Sequence, residues 1–251
     1  MRRSKKSYRI IVVGFALTTL FSCNRESAPD CFKQAGEEVQ ITRDIADFDQ
    51  LELEDYIQIE LIDSSACGVK ISGPKNVLPK IKTEVNDGVL HISNGNTCNF
   101  VRSFKREIVV QIFAPTIRHI ENRSTGHIRS NGMLFGSYLR IDNRHASGTI
   151  DLAFTGDSIA VLSHTGVADV KLQGIVHLST LFNQGLGIID AAALQSENTY
   201  INNSSINDVY AYSSGYLYSA INFSGNNFVS GHPTLIDERD LGEGELILTS
   251  Q

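Results

Sequence analysis

The chain contains no tryptophan, five prolines, two methionines and four cysteines in 251 residues. It also lacks any stretch that keeps helical spacing for long; only Val77 to Ile81 offers a single turn. A helical or α/β fold is therefore excluded. There is no Gly-x-Ser-x-Gly nucleophile elbow and no glycine-rich phosphate loop. Cations are in deficit, 22 Lys and Arg against 28 Asp and Glu, for a formal charge of −6. That balance argues against nucleic acid as a partner, because phosphate contacts need clustered Lys and Arg. The one long apolar run, Ile10 to Leu20, falls short of the roughly 20 residues that a membrane-spanning helix needs. What remains is a chain with 41% hydrophobic and 20% charged residues, a composition that excludes wholesale disorder and gives ample material for a core.

The N-terminus reads as an address. Arg2, Arg3, Lys5, Lys6 and Arg9 form a basic region ahead of the Ile10–Leu20 run, which has the length of a signal-peptide core. Leu20-Phe21-Ser22-Cys23 follows at once and resembles the bacterial lipobox, whose Cys becomes the acylated N-terminus. Residues 1–22 are thus expected to be a lipoprotein signal peptide, Cys23 the lipid anchor, and residues 23–42 a polar tether. Several acyl chains hold firmly where one does not, at about 0.8 kcal/mol per buried CH₂. Removal of the five N-terminal cations takes the formal charge from −6 to −11. The expected location is the cell envelope, as an outer-membrane lipoprotein facing either the periplasm or the outside.

Cys31, Cys67 and Cys98 remain in the exported part, where disulfides can form. Cys67 and Cys98 both sit in turn-like stretches beside short strands and are the expected pair; Cys31 is left in the tether. Their spacing is not that of a zinc site, and neither metal nor cofactor is expected.

Residues 48–116 alternate with period two, as in Leu51, Leu53, Ile57, Ile59 and Leu61, the mark of half-buried strands. Asn86-Asp87-Gly88 between apolar runs signals a tight turn. After Pro115 a repeat of about 20 residues sets in, and such periods denote solenoids. Ile128, Ile150, Val170, Ile189, Val209 and Phe228 form one apolar column, each after a polar turn. Ile120, Ile141, Leu162, Leu181, Ile201 and Ala220 form a second. Two residues beyond these stand Asn122, Asn143, His164, Asn183, Asn203 and Asn222, an expected amide ladder whose members bond up and down the stack. Residues 43–251 are therefore expected to form an all-β domain: a parallel, right-handed β-helix of about six coils with an N-terminal β region. The first half and Leu235 to Leu248 are expected to cap its two ends.

The opening Arg43-Asp44-Ile45-Ala46-Asp47-Phe48-Asp49-Gln50-Leu51 resembles the auto-transporter adhesin head domain, or GIN domain, family (DUF2807). So do the segments Val69 to Leu78, Gly88 to Ile92 and Pro115 to Ile120. Turns such as Ser124-Thr125-Gly126 and Ala146-Ser147-Gly148 fit the family's pattern better than Ser205-Ile206-Asn207 or Gly166-Val167-Ala168. The resemblance covers residues 43 to 240 and implies a β-helix on an exported protein of Bacteroidetes-like bacteria. It brings no catalytic residues.

Outward positions read as a charge ladder: Arg129, Asp151, Lys171, Asp190 and then Tyr210. Asp151 and Asp190 lie two rungs apart, roughly 10 Å, with Lys171 between them to keep both ionised. Glycoside cleavage needs one carboxyl of raised pKa, so no catalytic residue is assigned. Asp169 and Asp208 are likewise two rungs apart, and His145 with His164 makes a poor metal site. The candidate binding patch is Tyr210 and Tyr212 beside Asp190, rings that can stack on sugars or anchor a protein. The expected function is non-catalytic: a lipid-anchored solenoid presented for adhesion to glycan or envelope protein. The alternatives are a polysaccharide lyase or hydrolase on the same scaffold and a purely structural envelope component.

Overall fold

Apolar residues at every second position need an opposing wall, and this chain supplies one by coiling. The computed structural model describes residues 35–96 and 107–249. The signal peptide, Cys23, most of the tether, Cys31 and Cys98 lie outside the described residues, so the lipid anchor and the Cys67–Cys98 pairing do too.

Chain order runs β1 (Glu38–Arg43), β2 (Gln50–Asp55), β3 (Gln58–Asp63), β4 (Gly68–Pro74), β5 (Ile81–Asn86), β6 (Val89–Asn94) and β7 (Val109–Ala114). Then come β8 (His119–Ser124) and four long strands, β9 (Ile128–Asn143), β10 (Thr149–Ser163), β11 (Asp169–Asn183) and β12 (Ile189–Asn203). Five short strands follow: β13 (Val209–Tyr212), β14 (Tyr216–Ile221), β15 (Asn227–Ser230), β16 (Leu235–Asp240) and β17 (Leu246–Thr249). The only helical feature among the described residues is a 3-10 turn, Leu78–Lys80, where the sequence allowed one turn.

Each long strand turns a corner. In β10 the most deeply buried residues are Ile150, Leu152 and Phe154 before it, then Ile159, Val161 and Ser163 after it, so the inward phase changes from even to odd numbers, with Ala153 also covered at the bend. The early halves of β9–β12 stack with β7, β3, β13, β15 and β17 into a leading face. The late halves stack with β6, β2, β8, β14 and β16 into a trailing face. Both faces turn their apolar columns inward, and each fully buried Ile or Leu contributes about 1.5–3 kcal/mol. The result is a parallel β-solenoid of about seven turns.

The count exceeds six because the period-two segment belongs to the stack. β2 and β3 pair in parallel with β8 and β9 on one side and with β6 and β7 on the other. The chain thus lays its second rung first, leaves to build the outer rung, and returns. Only β1, β4 and β5 run antiparallel, and they close that end. At the far end β16 and β17 continue the parallel stack, so the Leu235–Leu248 segment is a last rung and not a lid.

Register corrects five positions in the sequence-derived columns. Val209 is followed by Asn227, with Phe228 one residue further on and facing out. The inner trailing column reads Ile120, Ile141, Val161, Leu181, Ile201, Ser219, which puts Leu162 and Ala220 in the outward column. The amide column becomes Asn122, Asn143, Ser163, Asn183, Asn203, Ile221; His164 and Asn222 stand one place outside it. The side-chain chain runs from Asn122 Nδ2 to Asn143 Oδ1 (3.0 Å) and from Asn143 Nδ2 to Ser163 Oγ (3.2 Å). Beyond Ser163 the amides clamp their own turns instead, donating to the carbonyls of Gly187 and Asn207. An Asn that bonds the backbone a few residues on stabilises a turn as well as a rung.

Candidate functional site

On the leading face, the expected charge column is in register as Glu60, Arg129, Asp151, Lys171, Asp190, Tyr210 and Phe228. Within it, only Arg129 and Glu60 form an ion pair among the described residues. Glu60 is buried, and a 2.8 Å hydrogen bond from Gln111 together with Arg129 holds its carboxyl below the usual range against the cost of burial. The pair borders a shallow groove of about 220 Å³ lined also by His127 and Gln58.

The Tyr210–Tyr212–Asp190 patch lies further along. Asp190 neighbours Tyr210, while Tyr212 pairs with Ser230. The Tyr210 ring stacks flat on Phe228, centroids 5.0 Å apart and planes 11° apart. One face of that ring is consequently spent, which weakens it as a sugar platform. Burial, and then the Asp208 carboxylate, raise the Tyr210 phenol above its ordinary pKa.

The trailing face offers a better surface. Its outward columns read Ala160, Thr180, Tyr200, Tyr218 and Leu162, Phe182, Asn202, Ala220, with Leu178, Asn198, Tyr216 beside them. Most of these side chains are half-buried, so they form a continuous uncharged platform of rings, aliphatics and amides. Tyr200 meets Tyr216 at 5.4 Å and 58°, and Tyr218 at 6.0 Å and 33°. Tilted rings leave faces open where the flat stack closes them. The Tyr216 hydroxyl donates to Asp237 (3.3 Å); burial, then that carboxylate, raise its pKa.

The sequence showed these tyrosines but not the platform. Spacing places Leu162 in the core, but it faces outward, and the row Leu162, Phe182 continues the aromatic group. An apolar residue directly after another apolar core residue, as in Val161-Leu162 and Leu181-Phe182, was the available signal.

Next to the platform lies a cluster centred on Asp142, which is only 2% exposed. Its carboxylate receives Arg140 Nε at 2.5 Å, His119 Nε2 at 2.9 Å and His164 Nε2 at 3.0 Å. Burial alone would raise its pKa, but these hydrogen bonds hold it far below the normal carboxylate range. Arg123 binds Glu121 on the neighbouring rung, and His164 also rests against Phe182, 5.8 Å between centroids. His164, assigned to the amide ladder from spacing, therefore joins the charge cluster to the platform.

Other candidates resolve into turn chemistry. Asp169 Oδ1 accepts the Ile188 N–H and Asp208 Oδ1 the Asn226 N–H, each clasping the next coil's turn. His145 takes φ +58° in its turn, with Nδ1 3.4 Å from Thr165 Oγ1. The Cys67 thiol is half-buried, 3.6 Å from the Phe48 carbonyl.

Solved structures share the fold. A "putative adhesin" from Bacteroides fragilis is 23% identical with TM-score 0.79, over 85% of this chain and 97% of that one. A "putative lipid binding protein" from Parabacteroides distasonis is 16% identical with TM-score 0.66, over 85% and 97%. A "putative adhesin" from Parabacteroides merdae is 14% identical with TM-score 0.61, over 86% and 98%. Comparison with proteins of curated function finds no match. The family described as "Putative auto-transporter adhesin, head GIN domain" matches residues 47–233, across the stack from β2 to β15, and the chain belongs to that family.

Proposed function

We propose that this protein is an outer-membrane lipoprotein, anchored through Cys23, that presents a non-catalytic β-solenoid and adheres to glycan through its trailing face. One observation carries the reading: Phe182, Tyr200, Tyr216 and Tyr218 lie on a flat, uncharged, half-exposed platform with amides beside them. Aromatic faces and amide groups are what a sugar's apolar face and hydroxyls need. The family's description as an adhesin head domain supports the same direction, and so does the lipobox-like Leu20-Phe21-Ser22-Cys23.

The test is an array of bacterial and host glycans probed with the full chain. Selective binding is expected. Tyr200→Ala with Tyr218→Ala should abolish it, whereas Tyr210→Ala with Tyr212→Ala should leave most of it. Absence of binding by a folded chain moves the assignment to a protein partner or a structural envelope role. Cleavage of a bound sugar turns it toward the enzyme alternative. For the anchor, Cys23→Ser should shift the protein from the membrane to the soluble fraction; unchanged partition removes the lipoprotein assignment.

A further inference from the structure

The chain contains two Asn-Gly steps, Asn94-Gly95 and Asn131-Gly132, and the fold treats them in opposite ways. Asn is a chemically labile residue, and it is most exposed to attack by its own backbone when Gly follows. Glycine has no Cβ to hinder the approach of its nitrogen, and it reaches backbone angles that other residues avoid. Hydrogen bonds then decide whether the approach can happen.

At Asn94-Gly95 every participant is held. The Gly95 N–H donates to the Lys80 carbonyl (3.0 Å), and the Asn94 N–H donates to Asp55 Oδ2 (2.8 Å). The Asn94 amide nitrogen donates to the Tyr56 carbonyl (3.3 Å), while its oxygen accepts two bonds from Asn96 at 3.1 and 2.8 Å. The side chain is half-buried.

Asn131-Gly132 is the reverse. β3 stays in register with β9 as far as Leu61 and Ser130. On the other side β10 leaves register after Asp151 and Arg129 and resumes at Ala153 and Met133. Asn131 and Gly132 fall between, in a bulge with no strand partner on either side among the described residues. Both are exposed. The Asn131 side chain makes no hydrogen bond among the described residues. Gly132 takes φ +96°, and the space around it is open.

We propose that Asn131 is a site of spontaneous deamidation, which turns this bulge into aspartate and isoaspartate while the fold stays intact. The Gly132 amide nitrogen gives its proton to water and attacks the Asn131 side-chain carbonyl carbon. A new C–N bond forms there, the bond to the side-chain nitrogen breaks, and that nitrogen leaves with a proton as ammonia. The cyclic imide then takes up water. Attack at the side-chain carbonyl restores the ordinary backbone with aspartate; attack at the main-chain carbonyl routes the backbone through the side chain, as isoaspartate. The balance is one water consumed and one ammonia released, with no change of oxidation state. The formal charge goes from −6 to −7. Neither product breaks a rung pairing, because neither residue belongs to one.

The experiment ages the full-length chain in mild detergent at mildly alkaline pH, native and in denaturant. Peptide mass mapping follows both steps, and labelling by an isoaspartyl methyltransferase marks the isoaspartate. In the native chain Asn131 is expected to convert about tenfold faster than Asn94, which reacts only after its hydrogen bonds open. In denaturant the two rates should converge. Asn131→Gln should remove the main acidic band that ageing produces on isoelectric focusing. Asn131→Asp, which carries the product's charge from the start, should melt within about 2 °C of wild type. Equal native rates at the two steps, or no conversion at Asn131, overturn the proposal. A rate difference that persists undiminished in denaturant overturns the part assigned to the fold. A large drop in melting temperature for Asn131→Asp overturns the claim that the bulge tolerates the change.

Discussion

Asp142 shows how one carboxylate can be removed from water and still be kept charged. It is 2% exposed, yet Arg140, His119 and His164 converge on its two oxygens from three sides. Asp142→Asn removes the charge while keeping the volume, and it leaves those donors with a weaker acceptor. A loss of about 2 kcal/mol in unfolding free energy is expected, read from denaturant midpoints of both proteins; equal midpoints would show that the cluster is decorative. The sign with pH follows from the lowered folded-state pKa. A carboxyl whose pKa lies below its unfolded value, about 3.9, contributes stability that is fully present above that value and lost as pH falls toward the folded one. The gap between wild type and Asp142→Asn should therefore be constant above about pH 5 and shrink below about pH 4. Spacing alone gave no hint of this cluster, because His119, Asp142 and His164 are united by register across three rungs and not by any local motif.

At the scale of strands and turns, the repeat was legible wherever an inward apolar residue had polar neighbours. Ile128, Ile150, Val170, Ile189 and Val209 fall into one column on both readings. At Leu162, Ala220 and Phe228 the true register lies one residue away from the periodic one. At the first two sites a core residue and an outward apolar residue are adjacent, so period two cannot choose between them. At the third the coil shortens to 18 residues between Val209 and Asn227, and a buried Asn takes the place of the expected hydrophobe. The order of the first rungs was hidden for another reason: β2 and β3 precede β6 and β7 in sequence but lie inside them, and no periodicity records a return. Coil contact also sets where glycine is obligatory. Gly174 has φ +127°, and a Cβ there would lie 1.9 Å from the Phe154 carbonyl oxygen, a backbone atom that cannot swing aside. Gly174→Ala should lose 3 kcal/mol or more, by about the cost of strained backbone plus overpacking. Gly68 has open space around its Cβ position, so Gly68→Ala should stay within roughly 1 kcal/mol of wild type. Thermal melts of the two variants decide it, and a mild effect at Gly174 would mean the rungs spread more easily than this packing implies.

The whole molecule has two unlike ends. On one, antiparallel β1, β4 and β5 cover the stack. On the other, β16 and β17 expose their outer edges, with Leu235, Ile236, Leu241 and Leu248 largely in water. A parallel edge with no further strand on it, as here among the described residues, presents a row of free N–H and C=O groups to any passing strand. The last rung answers with charge where the core should be. In β16 the inward column that reads Ile201, Ser219 ends in Glu238, and the column Asn203, Ile221 ends in Asp240. A hydrogen bond that the protonated Glu238 carboxyl donates to Asp240, with burial, raises the Glu238 pKa above its ordinary value, as expected for two acids forced together. Inward-pointing acids make the next rung unfavourable, since an added strand would have to bury them against its own apolar side. Glu238→Val with Asp240→Val removes that obstacle and restores an apolar column on an open edge. The double variant should keep its fold but associate end to end at micromolar concentration, seen as a concentration-dependent mass increase in light scattering relative to wild type. If its mass instead matches wild type at every concentration, the two acids do not guard this end, and the exposed Leu235, Leu241 and Leu248 are insufficient on their own to recruit a partner strand.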